Sequence, residues 1–163
     1  MEKFTGKVWL LGDDIDTDII MPTEYLVFKT IEEMKPYAFS PLRPELAAQI
    51  RPGDIIVAGS NFGCGSSREQ APEVVKALGL RCVIAKSFAR IFFRHAINNG
   101  LLLIENADLA DFVKEGEEIT VTVNEKIECR GKEFPIVSLP DNLVEIINAG
   151  GLVKAMRKRN GLD

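Results

Sequence analysis

Apolar residues in this chain come in two arrangements, and each predicts a different kind of element. Lys7-Val8-Trp9-Leu10-Leu11, Asp54 to Ala58, Arg81-Cys82-Val83-Ile84-Ala85 and Leu101 to Ile104 are short, almost unbroken apolar runs. Runs of that length read as strands, the last of them buried. Between them the spacing becomes helical. One helix ends at Gly79, and a second is capped by Ser87 and runs through Asn98, with Phe88, Phe92 and Ala96 on one face and Gly100 just past its end. The β-α-β-α-β rhythm predicts a layered α/β domain.

After residue 115 the pattern changes. Glu118 to Val123 alternates, Lys126 to Arg130 alternates after the turn Asn124-Glu125, and Phe134 to Val137 follows a turn at Gly131. These segments predict hairpins that cap or extend the core. Asp141 then caps a helix to Ala149, and Gly150-Gly151 separates it from a final helix, Leu152 to Arg159.

The run Gly59-Ser60-Asn61-Phe62-Gly63-Cys64-Gly65-Ser66-Ser67-Arg68-Glu69 is the most informative segment, because it joins the Asp54–Ala58 strand to a helix start. Such a junction aims backbone N–H groups and the positive end of a helix dipole at one point, where an anion can sit. Ser66 and Ser67 add hydroxyls there, and Arg68 adds a fork that holds a carboxylate or phosphate by two hydrogen bonds. Ser66-Ser67-Arg68-Glu69 also satisfies the capping-box pattern, so a purely structural reading stands beside the chemical one. Three glycines in seven residues favour chemistry, since a cap needs at most one. Pro72 would break an uninterrupted helix from Ser66 to Leu78 at a cost of about 3 kcal/mol, so a short turn and a fresh helix start at Pro72 are expected.

Composition narrows the classes. With 163 residues, 46% hydrophobic and 27% charged, the chain has material for one real core, and a single domain over 1–163 is expected. A net charge of −4 with mixed signs gives no surface suited to nucleic acid, and the one cationic cluster, Lys154, Arg157, Lys158 and Arg159, reads as a solvated helix end. No apolar stretch is long enough for a membrane helix, and the N-terminal apolar run ends after five residues, so a cytoplasmic location is expected. Cys64, Cys82 and Cys129 cannot pair completely and form no Cys-x-x-Cys, which argues against a disulfide framework and against a metal or iron–sulfur site in this chain. Cys82 and Cys129 lie in strand-like runs and read as buried hydrophobes. Cys64, near a helix start that would lower its pKa, is the second-choice reactive group.

Gly12-Asp13-Asp14-Ile15-Asp16-Thr17-Asp18-Ile19-Ile20-Met21-Pro22 carries four aspartates in six positions, yet it fails the EF-hand template at Ile19 and Tyr25. Its carboxylates are expected to bond loop N–H groups and to orient a cation such as Arg68 or Arg90. His95, the only histidine, reads as a packing or solvent residue, since Gly-x-Ser-x-Gly is absent from the serine loop. The dinucleotide fingerprint fails twice, with Arg68 at its third glycine and Lys86 in place of an acid.

Four segments in order, Gly-Asp-Asp-Ile-Asp-Thr-Asp-Ile-Ile (12–20), the glycine-serine loop (59–69), Lys-Ser-Phe-Ala-Arg-Ile-Phe (86–92) and Asn-Asn-Gly-Leu-Leu (99–103), together resemble the small-subunit family of the 3-isopropylmalate dehydratases in the aconitase superfamily. The resemblance implies a swivelling β/β/α domain, a layered sheet with flanking helices and hairpins. It implies Ser66 as catalytic base and Ser67 and Arg68 as substrate-binding residues, on a loop supported by Gly63, Cys64, Gly65, Asp16 and Thr17. It assigns the reading of the variable substituent to Leu26, Val27 and Phe28, where homoaconitase-like members resemble Tyr-Leu-Arg-Thr. The implied reaction is reversible dehydration of 2-isopropylmalate to 2-isopropylmaleate and rehydration to 3-isopropylmalate, a leucine-biosynthesis step, with homoaconitase or dual use as the alternative. A four-iron, four-sulfur cluster is expected on a separate large subunit, whose cysteines match nothing here. The remaining expected partner is a small dicarboxylate, and self-association of the free subunit stays open. A pure anion-binding module and a thiol enzyme acting through Cys64 are the readings from other classes.

Overall fold

Alternate side chains of the central strands enter two different cores, and this decides the architecture. In the computed structural model, which describes residues 2–162, β1 (Lys3–Leu10) leads through α1 (Thr17–Ile20), a 3-10 turn at Thr23–Val27, α2 (Ile31–Met34), a second 3-10 turn at Lys35–Tyr37 and α3 (Leu46–Gln49). There follow β2 (Ile55–Ala58), α4 (Gln70–Ala77), β3 (Cys82–Ala85), α5 (Arg90–Asn98), β4 (Leu102–Glu105) and α6 (Leu109–Phe112). The chain closes with β5 (Glu118–Thr122), β6 (Lys126–Cys129), β7 (Lys132–Pro135), α7 (Asp141–Ala149) and α8 (Leu152–Arg159). The sheet order is β4-β3-β2-β1-β5-β6-β7, parallel from β4 to β1 and antiparallel from β1 to β7.

Trp9, Ile56, Val83 and Leu103 face the helices and pack with Val74, Phe92 and Ile97. Their neighbours Val8, Val57, Ile84 and Ile104 face the other way and pack with Ile119, Val121, Ile127 and Phe134 of the antiparallel half. The sheet therefore curls until its antiparallel half covers the parallel half, giving helix, strand and strand layers. This is the β/β/α arrangement expected from the resemblance. All four residues of β2 are fully buried, and each Ile or Val contributes about 1.5–3 kcal/mol by leaving water. The one carboxylate within this interior, Asp54, is satisfied by Trp9 Nε1 at 2.8 Å and by the Arg51 N–H at 2.8 Å.

Several expectations at element ends are corrected. The helix expected from Pro72 starts two residues earlier, at Gln70, because a proline in the first turn gives up an N–H that has no partner there anyway. Ser66 and Glu69 form no capping box, since residues 65–68 are irregular backbone. Ser87 does not cap α5, which begins at Arg90 after Ala89; its Oγ instead accepts from the Asn61 N–H at 2.8 Å. Asp141 is the first residue of α7 and not its cap. β1 extends four residues further toward the N-terminus than its apolar run, held there by pairing of Lys3–Lys7 with β5. No helix of the described residues is long and apolar enough to cross a membrane.

Candidate active site

Because β1, β2 and β3 are parallel neighbours, the loops leaving their C-terminal ends meet on one edge of the molecule. There they form a continuous hydrogen-bonded seam. The first loop meets the second through Asp14 N–H to Ser60 O at 2.9 Å, Gly63 N–H to Ile15 O at 2.8 Å and Thr17 N–H to Cys64 O at 2.9 Å. Thr17 Oγ1 donates to Ser66 O at 2.9 Å, and Ser60 N–H donates to Asp13 Oδ1 at 2.7 Å. The second loop meets the third through Phe62 N–H to Ser87 O and Ala89 N–H to Phe62 O. Glycine is required at this seam. A Cβ on Gly59 would lie 1.8 Å from Asp13 Oδ1, and one on Gly63, at φ 85°, would lie 2.2 Å from the Phe92 ring.

On this base residues 65–68 form an exposed arch. The N–H groups of Gly65, Ser66, Ser67 and Arg68 donate to no protein acceptor among the described residues, and neither serine hydroxyl has a protein partner. Successive free N–H groups of this kind make a concavity suited to an anion. Arg68 is the opposite case, a side chain only 13% exposed. Its Nη1 donates to Asp18 Oδ1 at 2.5 Å and to Met21 O at 3.0 Å, and its Nη2 to Thr23 Oγ1 at 3.3 Å. The Asp-rich loop thus orients a cation, as its composition suggested.

Ser66, Ser67 and Arg68 share a cleft of 290 Å³ with Thr17, Gly63, Gly65, Ala89, Arg90, Ile91, Phe92 and His95. The sequence-predicted serines, arginine and loop glycines are brought together here, and Asp16 supports them as the cap of α1, accepting from Ile19 N–H at 2.8 Å. The residues expected to read the variable substituent lie apart. Val27 is 80% exposed and outside the cleft, while Leu26 and Phe28 pack partly on the core. Tyr37 stacks on Tyr25 at 4.1 Å and on Phe28 at 5.7 Å, so that loop is held by rings. Arg90, Ile91 and His95 enter the site because α5 presents one face to it, a placement that helical spacing alone did not link to Ser66. A larger groove of 550 Å³ on the far side of Arg90, walled by Phe88, Phe93 and Leu143, contains none of the expected site residues.

Cys64 does not behave as a helix-activated thiol. Burial and the charges of Asp16 and Asp14 push its pKa up, and the helix expected to lower it does not begin until Gln70. Cys82 is fully buried, its pKa pushed up to about 12 by desolvation, and Cys129 is buried as well, as expected of packing residues. Among the described residues no three His, Cys, Asp or Glu side chains converge into a metal-ligand set, so the side chains present do not fit an iron–sulfur cluster.

Comparison with known proteins agrees with this fold. The family model of the aconitase C-terminal domain matches residues 32–109. The chain is 80% identical to the 3-isopropylmalate dehydratase small subunit of Lachnospira eligens over 99% of both chains. It is 45% identical to the isopropylmalate/citramalate isomerase small subunit of Methanocaldococcus jannaschii over 94% of each. The crystal structure of a 3-isopropylmalate dehydratase from Methanocaldococcus jannaschii matches with a TM-score of 0.93 and 38% identity, covering 99% of this chain and 97% of that one. The chain belongs to the 3-isopropylmalate dehydratase small-subunit family of the aconitase superfamily.

Proposed function

We propose that this chain supplies the base and the carboxylate-binding residues with which a two-subunit 3-isopropylmalate dehydratase interconverts 2-isopropylmalate and 3-isopropylmalate through 2-isopropylmaleate. The observation that carries the reading is the unpartnered Ser66 hydroxyl on an arch of four free N–H groups, in one cleft with Arg68. Dehydration begins with removal of a proton from the carbon next to the one bearing the hydroxyl, and Ser66 Oγ is the acceptor. A serine hydroxyl is a very weak acid, so its alkoxide must be poised by oriented dipoles in a site closed to water. The free N–H groups of 65–68 supply those dipoles. In rehydration the same Oγ returns a proton to the alkene at the carbon that had carried the hydroxyl, and water adds its hydroxyl to the carbon that was deprotonated. Arg68 keeps its remaining N–H groups for a substrate carboxylate, its other groups being fixed by Asp18, Met21 and Thr23.

Departure of the hydroxyl is assigned to no residue of this chain. A large subunit carrying an iron–sulfur cluster would supply the Lewis acid for that departure, and the substrate would be enclosed between the two subunits. Val27, exposed in this chain, would favour an isopropyl group over the extra carboxylate of homocitrate or homoaconitate once the large subunit covers it, because a carboxylate set against it there would lose water without gaining a partner.

The test is reconstitution. This chain mixed with an anaerobically prepared large subunit is expected to interconvert the isopropylmalates, while neither subunit does so alone. Cys64→Ser in the same assay retains turnover if the thiol is structural. Turnover by the isolated chain, or its loss in Cys64→Ser, would overturn the division of labour proposed here.

A further inference from the structure

We infer that Arg90 is the second carboxylate-binding arginine of the site, taking the substrate carboxylate that Arg68 does not hold. This rests on the proposed dehydratase reading and adds a residue to it. The substrate class carries two carboxylates, and the cleft must offer positive charge to both. Arg68 brings a cation that Asp18 already neutralises at 2.5 Å, and three further aspartates, Asp13, Asp14 and Asp16, stand in the same loop. The nearest lysine after β3, Lys86, is committed to Asp111 at 2.9 Å. Arg90 is different. It lines the cleft with Ser66, Ser67 and Arg68, it is exposed, and among the described residues it makes no ion pair and no hydrogen bond.

Nothing in α5 itself accounts for an arginine there. It is the first residue of the helix, where a cation opposes the dipole, the first turn holds no acidic residue, and Arg94 stands one turn along as a like charge. A guanidinium without a partner among the described residues, in the same cleft as Ser66 and the Arg68–Asp18 pair, is placed to complete a two-arginine clamp. The two forks come from different elements, the arch after β2 and the start of α5, and share one cleft with Ser66, so that the substrate would be held through both carboxylates. Ile91, the neighbouring cleft residue, is apolar and 52% exposed, which leaves Arg90 and His95 as the polar side chains of that wall.

The experiment uses the reconstituted complex and compares wild type with Arg90→Ala, Arg90→Lys and Arg94→Ala. For 2-isopropylmalate, Arg90→Ala is expected to raise KM about tenfold or more with kcat changed by only a few-fold, Arg90→Lys to recover part of the loss, and Arg94→Ala to change neither. The ratio of the inhibition constant for an analogue lacking one carboxylate to that for the malate-type dicarboxylate should shrink by a similar factor in Arg90→Ala. A merely structural role would not move that ratio. The affinity of each variant for the large subunit is measured in parallel. Weaker subunit affinity with unchanged KM would assign Arg90 to the subunit contact, and no change in any quantity would leave it a solvated arginine; either result overturns the inference. If the wild-type complex binds isopropylmalate without turning it over, and Arg90→Ala removes that binding, the catalytic reading falls while the assignment of Arg90 stands.

Discussion

At Gly63 a single hydrogen in place of a methyl group decides whether the site can form. The residue sits at φ 85° with the Phe92 ring against its Cα, and its N–H ties the loop to Ile15 O. Gly63→Ala is therefore expected to lower stability by about 3 kcal/mol, from overpacking and left-handed strain together, and the melting temperature by roughly 6–12 °C. Calorimetry on the variant checks this, and a melting temperature within a degree of wild type would show that the loop repacks freely. At this scale the sequence was legible where chemistry constrains residue identity: the serine pair, Arg68 and the loop glycines all converge as their motif suggested. It was not legible where a residue works through its tertiary neighbour. Ser87 looked like a helix cap and instead braces Asn61, and His95, read as a packing or solvent residue, is half-buried and also lines the cleft, because sequence spacing cannot say which face of α5 the arch will meet.

Strands were the easiest elements to read, since the parallel half is covered on both faces and so is written as unbroken apolar runs. The four-residue helices α1, α2, α3 and α6 were not seen, because segments so short owe their shape to tertiary contacts and local caps more than to propensity. Two predictions belong here. The loop containing Arg43 is tied to the junction before β5 by two hydrogen bonds from its guanidinium to Glu115, at 2.6 and 3.1 Å, and Glu115 also accepts from Leu10 N–H. Those bonds, that from Arg43 above all, hold the Glu115 pKa below its usual 4.5. A carboxylate depressed by folding stabilises fully above its unfolded pKa and loses that contribution as pH falls through its folded one. Glu115→Gln should thus cost about 0.5–1 kcal/mol at pH 7, after allowance for solvent screening, and nothing near pH 2, which melting curves across that range test. A penalty independent of pH would remove the ion pair from the account. The second prediction concerns the loop held by the Tyr25–Tyr37–Phe28 stack. Val27→Arg is expected to move the ratio of catalytic efficiencies toward homocitrate or homoaconitate and away from isopropylmalate, and an unchanged ratio would take Val27 out of the specificity site.

On the scale of the whole molecule, one parallel register brings three loops, distant in sequence, to a single edge. Thr17 and Ser66, 49 residues apart, are joined by one hydrogen bond there. The sequence announced each loop separately, and the resemblance announced their order, but only the curled sheet shows that one cleft collects them and that Arg90 belongs to it. Under the proposed reading, this same edge is where a large subunit would dock.

The most direct measurement of the central claim is turnover of saturating 2-isopropylmalate by the complex reconstituted with Ser66→Ala. Ser66 Oγ has no protein partner among the described residues, so the account predicts a melting temperature within a few degrees of wild type and unimpaired binding of the large subunit, with kcat lower by several orders of magnitude, about 10³-fold or more. A kcat within tenfold of wild type in an intact complex would contradict the assignment of Ser66 as the base.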